Sequence, residues 1–136
     1  MSPKVLSEKL ILLSEVLADL APHVKRSHDD LVEHHYEIER QVQVCVDVSC
    51  AIARRILFLK ELSLPQSARD AFLELGKAKI ITKKLAEELA LACGLRNLLI
   101  HEYGHINYDL FFSGLPKGYK SLHQFAKIAE KFLEAL

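Results

Sequence analysis

Leucine returns at positions 6, 10, 13, 17 and 20, and Ile38, Val42, Cys45, Ser49, Ile52, Ile56 and Leu59 continue the same three- and four-residue steps. Side chains so spaced fall on one face of an α-helix, because a helical turn takes about 3.6 residues. No segment of useful length alternates apolar and polar residues as a half-exposed strand would. The short runs rich in β-branched residues sit inside the helical pattern. The chain is therefore expected to be all-α, a bundle of five or six helices. At 136 residues it should form a single domain, residues 1–136, with a core of its own.

Local signals punctuate this pattern. Ser2-Pro3 can cap and start the first helix, and Pro22 should stop it. Ser27 with Asp30, and Ser67 with Asp70, have the spacing of a capping box with an acid in place of the usual Glu. The long second helix should run out before the loop Ser63-Leu64-Pro65-Gln66, and the short third helix should end at Gly76. Thr82 opens a fourth helix. Asn107 is placed to cap a further one, with Asp109 in its first turn.

The formal net charge is +0, which argues against a surface coated with basic residues for sequence-blind binding of nucleic acid. A local basic site doubled by dimerisation stays open. Cys45, Cys50 and Cys93 are odd in number and lie in apolar helical stretches, as expected of buried free thiols. No basic segment with an apolar signal core stands at the N-terminus, and no apolar run reaches membrane-spanning length. A cytoplasmic protein without a membrane partner is expected.

The fourth helix carries an anomaly. From Leu89 to Ile100 it reads LALACGLRNLLI, apolar or glycine except at Arg96 and Asn97. On a helical wheel Arg96 falls about 20° from Leu85 and Leu89, inside the apolar face. A guanidinium cannot shed its charge there, and burying it unpaired would cost several kcal/mol. Two answers are open. One is a structural ion pair with a carboxylate on the second helix, Asp47 being the obvious candidate; the other is a cleft that receives an anion.

Just beyond lies Ile100-His101-Glu102-Tyr103-Gly104-His105, which contains H-E-x-x-H, the zinc-protease signature. That chemistry needs both histidines on unbroken helix. Gly104 interrupts it and more naturally ends a helix, and only Glu130 and Glu134 offer a third ligand, by distance alone. A zinc hydrolase using HEYGH is thus the least favoured reading, and no metal or cofactor is expected. The competing pattern is Arg96, Asn97, His101 and Tyr103, with R-x4-H-x-Y spacing.

The arrangement R-N-L-L-I-H-E-Y resembles the R-x4-H-x-Y motif of HEPN-domain ribonuclease toxins, specifically the HepT family. The similarity runs from about Gln41 to Tyr108, through CVDVSCAIARRI, LPQSARDAF and GLRNLLIHEY in that order. The resemblance implies a HEPN-like bundle that dimerises through this region and cuts RNA without a metal, the toxin of a type VII toxin–antitoxin system. It also implies a partner, a MntA-type nucleotidyltransferase antitoxin that transfers AMP from ATP to Tyr103. Ser113-Gly114-Leu115-Pro116-Lys117-Gly118 departs from the family pattern and is expected to break the C-terminal helical region.

The residue types suit this chemistry on their own terms. RNA supplies its own nucleophile, the 2′-hydroxyl, so an enzyme needs proton transfer and stabilisation of a charged phosphorus centre. His101 can be acid or base near neutral pH, and the planar Arg96 fork fits phosphate oxygens. Five residues place the two about 140° apart on one helix, awkward within a single copy. Two motifs meeting across a two-fold axis would make a composite dimeric site. Asn97 could orient the histidine or phosphate, and Asp47 either pairs with Arg96 or joins the site. His34 and His35 are expected on a solvated face, and Lys117 and Lys120 beside a glycine loop. A catalytically silent helical partner of a nucleotidyltransferase is the alternative from another class.

Overall fold

The protein is described here by a computed structural model covering residues 3–99 and 106–136. Among these residues the chain forms six helices and no strand: α1 Pro3–Val24, α2 His28–Glu33, α3 His35–Leu59, α4 Ala68–Lys77, α5 Lys83–Leu98 and α6 Tyr108–Glu134. The leucine series of α1 is buried throughout, as is the α3 seam from Ile38 to Ile56, while Leu59 is half-buried. α1 and α6 pack against α3, and α4 and α5 close the other side, α5 lying against α6. Phe72 of α4 and Phe125 of α6 meet edge to face at 5.3 Å between ring centroids in the core.

The caps form as the side chains dictate. Ser27, Ser67, Thr82 and Asn107 each accept a hydrogen bond from the backbone N–H three residues on. Helix ends depart from expectation in three places. Pro22 does not stop α1, which continues to Val24; the turn beyond it buries His23, and that packing outweighs the one missing N–H. Second, the polar stretch after Ser27 is not the start of one long helix, since α2 closes at His34 before α3 begins.

Gly76, third, is not the residue that ends α4. It lies inside the helix, where a Cβ would sit 2.7 Å from the Ala86 Cβ, so its use is to let α4 and α5 approach. Lys79 takes the left-handed conformation instead, at φ 61°. The Ile80 N–H then reaches back to the Leu75 carbonyl at 3.1 Å.

The break expected at Ser113–Gly118 is absent: α6 runs unbroken from Tyr108 to Glu134 through both glycines and Pro116. A Cβ at Gly114 or Gly118 would stand 2.7 Å from the Leu95 side chain, so the glycines admit Leu95 between α5 and α6. Burial of Phe111, Phe112, Leu115 and Leu122 along the same face keeps the helix continuous through a proline that lacks one donor. Lys117 and Lys120 accordingly stand exposed on helix, not beside a loop.

Candidate active site

Asp47 projects from the middle of α3 and Arg96 from the last turn of α5. The Arg96 Nε–H donates to Asp47 Oδ1 at 2.9 Å. The arginine side chain keeps 31% of its exposure and the aspartate 48%, so this is a pair at the rim of the bundle. Arg96 thus faces α3 as the helical wheel predicts, but at the rim of the bundle and not in its interior. Screening by solvent leaves such a pair worth little to stability, and it acts chiefly to orient the guanidinium.

Arg96 also shapes its neighbourhood. Burial pushes the Cys93 thiol up to about 11, and Cys50 adds to the rise while Arg96 and Arg69 draw it down. The Cys45 thiol, deeper still, is pushed up to about 12 by burial alone. These buried thiols stay protonated at neutral pH, as structural cysteines do. Asn97 is exposed one position beyond the arginine.

α5 ends at Leu98, where the Leu99 N–H turns back to the Arg96 carbonyl. His101, Tyr103, Gly104 and His105 lie outside the described residues, and so does the helix end expected at Gly104. Glu130 lies roughly 33 Å along α6 from Tyr108. Glu130 and Glu134 border a groove with Ser7, Ile11 and Ser14 of α1. Among the described residues no group of three or more His, Cys, Asp or Glu is placed to hold a metal ion.

His35, Glu39 and Tyr108 meet across the bundle, a cluster the sequence pattern does not display. His35, expected in solvent, is half-buried, with Nδ1 2.6 Å from Glu39 Oε2. The Tyr108 hydroxyl donates to that oxygen at 3.0 Å and lies 3.0 Å from His35 Nδ1. The i, i+4 spacing of His35 and Glu39 was a legible signal; their meeting with Tyr108 across the bundle was not. Between them α5 and α6 leave an apolar groove of about 490 Å³, lined by Leu91, Leu95, Leu98, Leu110, Gly94 and Gly114. Leu91 is 67% exposed there and Leu110 54%.

Comparison with solved structures gives the class first. The tri-AMPylated Shewanella oneidensis HEPN toxin in complex with MNT antitoxin superposes with a TM-score of 0.82 at 22% identity, covering 96% of this chain and 99% of that one. The fold is the all-α HEPN bundle. The family follows from sequence: residues 13–129 match the family described as Ribonuclease HepT-like, and the chain belongs to it. The mRNA nuclease HepT of Shewanella oneidensis is 30% identical over 91 residues, 67% of this chain and 65% of that protein. The tRNA nuclease HepT of Aphanizomenon flos-aquae is 31% identical over 116 residues, 83% of this chain and 79% of the relative. No helix among the described residues is long and apolar enough to cross a membrane.

Proposed function

We propose that this chain is a single-domain HepT-type toxin, a metal-independent RNA endonuclease whose active site is completed by a second copy, and that it works in the cytoplasm. The observation that carries the reading is the half-exposed Arg96, oriented by Asp47 at the end of α5 and followed in sequence by His101 and Tyr103. Nε is the atom Asp47 takes, and the terminal amino groups of the fork are the part a phosphate would engage. The exposed leucines of the α5–α6 groove supply the surface that a second copy would cover.

In this reading His101 accepts the proton of the RNA 2′-hydroxyl as that oxygen bonds to phosphorus. The bond from phosphorus to the 5′-oxygen breaks, and the second copy's histidine at the same position protonates the leaving oxygen. Arg96 balances the charge on the non-bridging oxygens, and Asn97 orients the histidine or the phosphate. The products are a 2′,3′-cyclic phosphate and a 5′-hydroxyl. One competing reading, a silent partner of a nucleotidyltransferase, draws on the same ion pair, since Asp47 already satisfies Arg96.

Control would come from a MntA-like nucleotidyltransferase antitoxin, as the HEPN toxin of similar fold is found with MNT antitoxin in its tri-AMPylated form. The Tyr103 oxygen attacks the α-phosphorus of ATP, pyrophosphate leaves, and the phenolic proton passes to solvent. The added phosphate would then occupy the region meant for RNA and repel its backbone. The test is expression with and without the partner, with intact-mass measurement. Wild type should be toxic, be relieved by the partner, and gain AMP-sized mass. Tyr103→Phe should stay toxic and gain none. Equal modification of both proteins, or full RNA cleavage by modified wild type, contradicts the role of Tyr103; absence of toxicity favours the silent partner.

A further inference from the structure

Residues 100–105 are flanked by two described posts, both fixed to α3. Before them, Arg96 is held by Asp47; after them, Tyr108 is held by Glu39 and His35. Glu39 and Asp47 lie about two turns apart along the helix, roughly 12 Å. The second post is the more elaborate. Its phenol bonds a carboxylate and an imidazole that are themselves 2.6 Å apart. The Tyr108 ring stacks on Phe112 at 5.5 Å and meets His35 edge-on at 5.3 Å. His28 of α2 stands edge-on to the same Phe112 at 5.6 Å, with Nε2 3.6 Å from Asp109.

Packing alone would be served by phenylalanine at this position, because both ring contacts survive without the hydroxyl. What the hydroxyl adds is direction, since a hydrogen bond to a carboxylate fixes angle as well as distance. Partial burial, then the Glu39 hydrogen bond and charge, push the Tyr108 phenol up to about 12, so it remains a donor through the whole physiological range.

We infer that Tyr108, with Glu39 and His35, is a positioning device for the ribonuclease motif, tying the first turn of α6, which follows that motif in sequence, to α3. Their role is to position, not to react. The inference rests on the ribonuclease reading above. Its consequence is catalytic because small misplacements of acid–base groups are costly to rate while substrate affinity depends on many contacts.

The test compares full-length wild type with Tyr108→Phe, Glu39→Gln, Glu39→Ala and the combination of Tyr108→Phe with Glu39→Ala. RNA cleavage and backbone hydrogen exchange over residues 100–110 are both read. Tyr108→Phe should lower kcat about tenfold or more with KM nearly unchanged, and should speed exchange in that segment. Glu39→Gln keeps an acceptor for the phenol and should retain most of kcat, whereas Glu39→Ala should match Tyr108→Phe. The double variant should be no worse than either single one. Unaltered exchange in Tyr108→Phe, or a kcat equal to wild type, overturns the inference. If wild type cuts no RNA at all, the ribonuclease reading fails by itself, and exchange alone then decides whether the phenol holds the segment.

Discussion

The two ends of α5 put similar residues to different uses. At the inner end Thr82 caps the helix through the Leu85 N–H at 3.0 Å, and Leu85, Ala86, Leu89, Ala92 and Cys93 are buried. Gly76 lets α4 approach until no room remains for a methyl group. At the outer end Asn97 is exposed, Leu95 and Leu98 are half-buried, and Arg96 is held at the rim. An apolar helix in the interior of a bundle needs no further account. One that exposes leucine and also holds a cation fixed at its last turn does.

Substitutions at the two ends should break along this line. The largest effect belongs to the outer end: His101→Ala should reduce RNA cleavage by about a hundredfold or more. Arg96→Lys should also be severely impaired, since an ammonium keeps the charge and loses the fork. His105→Ala should retain most activity, and single-turnover cleavage of a labelled RNA measures all three. Equal loss in His101→Ala and His105→Ala would break the assignment, because only the zinc pattern needs both histidines.

Smaller effects should sharpen the contrast in stability. Gly76→Ala places a methyl against the short Ala86 side chain, which cannot turn aside. It should cost about 1–3 kcal/mol in overpacking, less the roughly 1 kcal/mol that alanine gains over glycine in a helix. Gly118→Ala meets only a terminal methyl of Leu95, which can rotate away, so its urea midpoint should stay close to wild type. A penalty at Gly118 equal to that at Gly76 would show the outer end to be packed as rigidly as the inner one.

Helix content, capping residues and the anomaly at Arg96 were legible because each depends on residues a few positions apart. Ser27, Ser67, Thr82 and Asn107 all cap as their spacing predicts. Even Asp47 could be named as partner, since an arginine on an apolar face demands a carboxylate and α3 offers one at the right height. What failed were inferences from glycine and proline taken singly. Gly76, Gly114, Pro116 and Gly118 read locally as breakers, yet Ala86 and Leu95, which explain the glycines, come from a different helix. The Glu39–Tyr108 bond was equally hidden, for it joins residues sixty-nine apart that only the finished bundle brings together.

If the outer end of α5 belongs to a ribonuclease that needs no metal, chelation should leave its chemistry untouched. The most direct measurement is cleavage of a defined RNA by purified wild type in excess chelator, with the ends of the products identified. Cleavage should be undiminished and should leave 2′,3′-cyclic phosphate and 5′-hydroxyl ends. Cleavage that stops in chelator and returns on adding zinc would contradict the metal-independent reading.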